Sequence, residues 1–112
     1  MTSVKEINYS MTVELPMHRP LSILNGMTLP LWVKKFETLK GLETSQKNKN
    51  NFDRCILVLK YAKSHFGILT AVSNQDYAVQ LTFTFSSLHA LMCFEEGLRD
   101  EVNAFDREAI AN

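Results

Sequence analysis

The sequence predicts an α+β fold, an antiparallel sheet of four or five strands with two helices on one face, in the order β-α-β-β-β-α. Three observations carry that expectation. Apolar and polar residues alternate in "EINYSMTVELP" and "DYAVQLTFTFS", the period of a half-buried strand. In "TLPLWVKKFETLK" and "SSLHALMCFEEGLRDEV" the apolar residues recur at helical spacing instead. The 112 residues, 46% apolar and 21% charged, suit a single domain over 1–112 with one core.

The elements follow in order. In the first strand Ile7, Tyr9, Met11, Val13 and Leu15 share one face, and Pro16 stops it. The connection "PMHRPLSILNG" closes on the turn dipeptide Asn25-Gly26, and Leu21–Leu24 within it is the short extra strand that takes the count from four to five. Thr28 can cap the first helix, with Pro30 in the first turn, where its missing N–H does no harm. Leu29, Trp32, Val33, Phe36 and Leu39 then form one stripe. Residues 43–51, "ETSQKNKNN", offer no apolar anchor and read as a mobile polar loop.

The middle stretch, "RCILVLKYA" at 54–62, reads as a strand with apolar groups on both faces. Cys55, Leu57, Leu59 and Tyr61 point one way, Ile56 and Val58 the other, with helix as the competing reading for so short a run. "HFGILTAVS" and "DYAVQLTFTFS" flank the turn cluster at 73–76 and form a hairpin whose Val79, Leu81, Phe83 and Phe85 face the core. Ser86-Ser87 can cap a last helix over about 87–105.

A sheet covered by helices on one side only would leave Ile56 and Val58 on its open face, where an apolar patch calls for a cover. A homodimer formed through that face is therefore expected. The last helix adds a strip of small residues, Ala90, Cys93, Gly97 and Ala104, along which another backbone could approach. Gly97 asks for such a reason, because glycine inside a helix costs about 1 kcal/mol relative to alanine. On the same helix His89, Cys93, Glu96 and Asp100 have the spacing of metal ligands, but His89, Glu96 and Asp100 face away from the core and no second element supplies donors. No metal site and no cofactor are expected.

Charge is balanced overall, 12 against 12, yet divided along the chain. Residues 1–66 hold ten Lys and Arg against five Asp and Glu; residues 67–112 hold two against seven. The acidic last helix is thus a docking surface for a protein partner or for the basic half of the same fold. The N-terminal stretch has no charged region followed by an apolar one, no apolar run is long enough for a membrane span, and the two cysteines form no disulfide framework. A cytoplasmic protein without membrane contact is the expectation.

The leading functional reading is a small non-enzymatic protein-interaction module. The first alternative is a small-molecule-binding protein or enzyme built on a ferredoxin-like dimeric sheet, with Tyr61, His65 and His18 around a pocket. Many sheets of that kind end with a strand after the second helix, whereas "DREAIAN" is short and polar. The second alternative is nucleic-acid binding through Lys47, Lys49 and Lys63. The helix–three strands–helix order is similar to that of double-stranded RNA-binding domains, whose second helix opens on a lysine cluster that grips phosphate. Here "SSLHALMCFEEGL" carries no lysine and turns acidic, which sets nucleic acid aside.

Overall fold

The computed structural model describes residues 8–18, 21, 26–75 and 77–111, apart from the side chains of 109–111. Its elements are β1 (Tyr9–Pro16), α1 (Leu29–Gly41), α2 (Gln46–Ser64), β2 (Ile68–Gln75), β3 (Ala78–Phe85) and α3 (Leu88–Ala111). The described strands form one three-stranded antiparallel sheet in the order β1-β3-β2. Three strands and three helices, in the order β-α-α-β-β-α, replace the expected four or five strands with two helices. Of the expected extra strand at 21–24, all but Leu21 lies outside the described residues.

The correction comes from one stretch. Residues 54–62 are the body of α2, and residues 46–51 of the expected polar loop are its first turns. The helical period becomes visible when the stretch is read together with Phe52: Phe52, Cys55, Ile56, Leu59 and Ala62 recur at steps of three, one, three and three, and all are buried. Lys47, Lys60 and Lys63 occupy the exposed side. Ser45 caps the start, its hydroxyl accepting from the Asn48 N–H at 3.4 Å. α2 is apolar around so much of its girth because it packs against α1 and α3 and reaches the sheet as well. β-branched Ile56 and Val58 cost a helix only a few tenths of a kcal/mol each, roughly, which burial easily exceeds.

On the sheet's inner face, Val13 and Leu15 of β1 and Val79, Leu81, Phe83 and Phe85 of β3 meet the helices. Phe94 of α3 holds this side together, its ring 5.2 Å from Phe85, 5.6 Å from Phe83 and 5.6 Å from Tyr61. α1 brings Phe36 onto Phe52 of α2, with Trp32 packed against Phe36. The outer face is polar rather than greasy. Ser10 and Thr70 each lie 3.2 Å from the Thr84 hydroxyl, Thr12 lies 2.9 Å from Thr82, and Ser73 donates to Gln80 at 2.8 Å. Such a surface needs no protein cover.

α3 is longer than expected, reaching Ala111. The Ser87 hydroxyl accepts from the Ala90 N–H at 3.3 Å, the cap that "SSL" implied. Near the other end Asp106 accepts from Arg54 of α2 at 2.6 and 3.0 Å, a contact between the basic and acidic halves of the chain.

Candidate functional site

Of the candidate site residues singled out from the sequence, Ile56 and Val58 are consumed inside the fold, and the rest are half-buried or exposed. Ile56, 9% exposed, and Val58, fully buried, are core residues of α2 and do not lie on a sheet face. The small-residue strip of α3 is occupied from within the same chain: a Cβ on Gly97 would overlap the Tyr61 hydroxyl outright. Ala90 packs on the core beside it. Gly97 is therefore needed for α2 to lie close to α3. Burial, then the negative charges of Glu101, the Cys93 thiolate and Asp100, hold the Tyr61 phenol above its usual range.

Tyr61 and His65 are brought together, with ring centroids 4.4 Å apart at the end of α2. His65 Nδ1 lies 2.9 Å from the Tyr61 carbonyl, an acceptor only, so that contact keeps the proton on Nδ1. His18 does not join them. Its Nε2 sits 3.6 Å from Glu43, which also accepts from Asn48 in the first turn of α2, at the opposite end of that helix. The expected constellation of Tyr61, His65 and His18 is thus split along the length of α2.

Cys93 is half-buried, 3.5 Å from His89 Nε2, while His89, Glu96 and Asp100 are exposed. Among the described residues no three His, Cys, Asp or Glu side chains gather closely enough to hold a metal ion. Cys55 and Cys93 are both free thiols. Burial pushes the Cys55 thiol up to about 12, against a smaller opposing pull from the Arg54 guanidinium. Among the described residues no helix is long and apolar enough to cross a membrane.

A concave surface lies elsewhere, between the start of α1 and β2. A groove of about 650 Å3 is lined by residues 26–30, Trp32, Lys63 and residues 67–72. Successive strand residues point to opposite faces of a sheet. Leu69 and Val72 stand opposite Phe83 and Leu81 on the inner face, while Ile68 and Ala71 stand opposite Thr84 and Thr82 on the outer face. Because the unbroken run Ile68–Val72 lines the groove, it follows the edge of β2 rather than either face of the sheet. Among the described residues that edge has no strand beside it, since β2 pairs only with β3. Met27, Leu29 and Trp32 form an apolar wall on the far side.

The turn leading into β2 is strained. α2 ends in a Schellman motif, with Gly67 N–H bonded to Ala62 O at 2.8 Å and Phe66 N–H to Lys63 O at 3.1 Å. The position between helix and strand that needs a left-handed backbone falls on Phe66, at φ 62°, and not on the glycine that follows. The Phe66 ring is 85% exposed. Tyr77, beyond the other end of β2, repeats the combination at φ 69° and 79% exposure.

Sequence reasoning missed this groove. Its residues come from two distant stretches, and nothing in "ILTAVSNQ" marks β2 as an edge strand. The Phe66-Gly67 pair, with glycine one place late for a helix stop, was the one local signal. No protein-family model matches this chain, and among curated proteins and solved structures none matches it significantly.

Proposed function

We propose that this protein is a non-enzymatic interaction module that receives an extended segment of a partner protein along the outer edge of β2. The observation that carries the reading is the continuous edge lining, Ile68 to Val72, facing an apolar wall. An edge strand presents backbone N–H and C=O groups that an added strand can satisfy, while alternate side chains of that strand enter the groove. Phe66 supports the same reading. A left-handed backbone costs a non-glycine residue about 1–2 kcal/mol, and an exposed ring returns little of that within the chain.

The alternatives lose their footing. An enzyme or small-molecule site was to assemble from Tyr61, His65 and His18, but His18 lies at the far end of α2 from the other two. Nucleic-acid binding was to use Lys47, Lys49 and Lys63, which lie at opposite ends of α2, roughly 20 Å apart at 1.5 Å per residue. Self-association was to use the face bearing Ile56 and Val58, which is core, or the half-buried strip at Gly97, where Tyr61 of the same chain already makes the close approach. The two free thiols suit a reducing compartment such as the cytoplasm.

A test is selection of random octapeptides, displayed with free C-termini, on the full-length protein. Selected peptides should carry apolar residues at alternate positions and should lose binding to the variants Ile68→Lys and Ala71→Lys. Both positions are exposed, so the variants stay folded. Failure to enrich any peptide, or peptides that bind both variants as well as the native chain, overturns the reading.

A further inference from the structure

Lys63 is the only charged residue among those lining the groove. It is exposed, on the last turn of α2, and among the described residues no carboxylate pairs with it. Two other lysines of the helical layer have carboxylates beside them, Lys60 3.8 Å from Glu37 and Lys40 2.7 Å from Asp53. The wall across the groove adds no opposing charge, since the first turn of α1 holds no acidic residue. The groove therefore joins an apolar wall and a strand edge to one cation, placed where β2 begins.

We infer that the segment docking on β2 is a partner's C-terminal tail, whose free carboxylate meets Lys63. This deepens the reading above and rests on it. The placement of the charge sets the direction of the added strand. A tail whose last residue lies at the start of β2 runs antiparallel to it, the more stable pairing per residue. Its carboxylate reaches Lys63, and its preceding residues follow Ile68 to Val72 toward the far end of the groove. An ammonium–carboxylate contact is stronger than a neutral hydrogen bond, and it selects the end of a chain over its interior.

The experiment uses one octapeptide from the display selection, synthesised as the free acid and as the C-terminal amide. Each carries a fluorophore at its N-terminus and is titrated with the full-length protein while fluorescence polarisation is read. Trp32, the single tryptophan and a wall residue of the groove, supplies a second reading with unlabelled peptide. The free acid should bind the native chain about tenfold more tightly than the amide. That difference should vanish in Lys63→Gln and persist in Lys60→Gln, a change on the same helix outside the groove. Acid and amide binding alike, or a preference that survives Lys63→Gln, overturns the carboxylate assignment while strand addition at β2 stands. A peptide that binds but ignores Ala71→Lys, or the absence of any binding peptide, overturns both.

Discussion

β2 and β3 are the two arms of one hairpin, each eight residues long, but they live in different surroundings. β3 lies between β1 and β2, and every second residue, Val79 to Phe85, is fully buried. β2 carries Ile68, Leu69 and Val72, yet none of its residues is fully enclosed, and Ile68 is 66% exposed. A bulge between Leu69 and Ala71 interrupts its pairing. The contrast is one of position. A central strand has neighbours on both sides and helices beneath; an edge strand has one neighbour and here a groove. The inner strand is enclosed by its neighbours, and the outer one leaves an edge without a strand beside it among the described residues.

Several substitutions can break or sharpen that contrast, and the largest effect belongs to a directly paired couple. Phe83→Ala in β3 should cost about 3–5 kcal/mol, the range for emptying a large buried site. Leu69→Ala opposite it in β2 should cost less, roughly 1–2 kcal/mol, since Leu69 is only partly buried. Equal losses in urea unfolding would show that β2 is no edge. Next comes Gly97→Ala, which should destabilise by about 1–3 kcal/mol despite alanine's better helix propensity, because the new methyl meets Tyr61. Tyr61→Phe should restore part of that loss; a Gly97→Ala protein more stable than native would refute the close approach.

At the rim of β2 the expected sign reverses. Phe66→Gly should stabilise the fold by about 1 kcal/mol in the same unfolding assay, by relieving the left-handed backbone, and should weaken peptide binding. A destabilised variant would mean the ring has a structural task. The smallest effect on stability is expected from Ile68→Lys, within about 0.5 kcal/mol.

The two thiols extend the contrast to chemistry. At pH 8 an aromatic disulfide reagent should modify Cys93 in the native protein and reach Cys55 only after unfolding. The folded chain keeps the Cys55 proton to about pH 12, whereas an ordinary thiol loses it near 9.0. The folded state thus binds more protons between those values, so stability present below pH 9 should fall as pH rises through that window. Rapid modification of both thiols in the native state would show that the interior at α2 is open.

What could be read from the residues depended on how local the cause was. Alternation in β1 and β3, the stripe on α1, the Ser87 cap and the solvent face of α3 all follow from periodicities within a single element. The same method misread 54–62, because an apolar run cut off at Arg54 shows both periods and the deciding Phe52 lay in a polar-looking segment. Gly97 was recognised as needing a close neighbour, though not that the neighbour is Tyr61 of the same chain.

By itself the sequence determined that β1, α1 and α3 each hide one face and which residues of β3 are core, because side-chain period acts over a few residues. The turn expected at 73–76 instead falls beyond Gln75, since Ser73, Asn74 and Gln75 pair with Gln80, Val79 and Ala78. Only tertiary structure decided that α2 is a helix packed on more than one side, that β2 is an edge, and that Lys63 shares a groove with Met27 and Trp32. Those outcomes depend on which elements become neighbours, a choice made by burying apolar area across the whole chain and written in no single stretch of it.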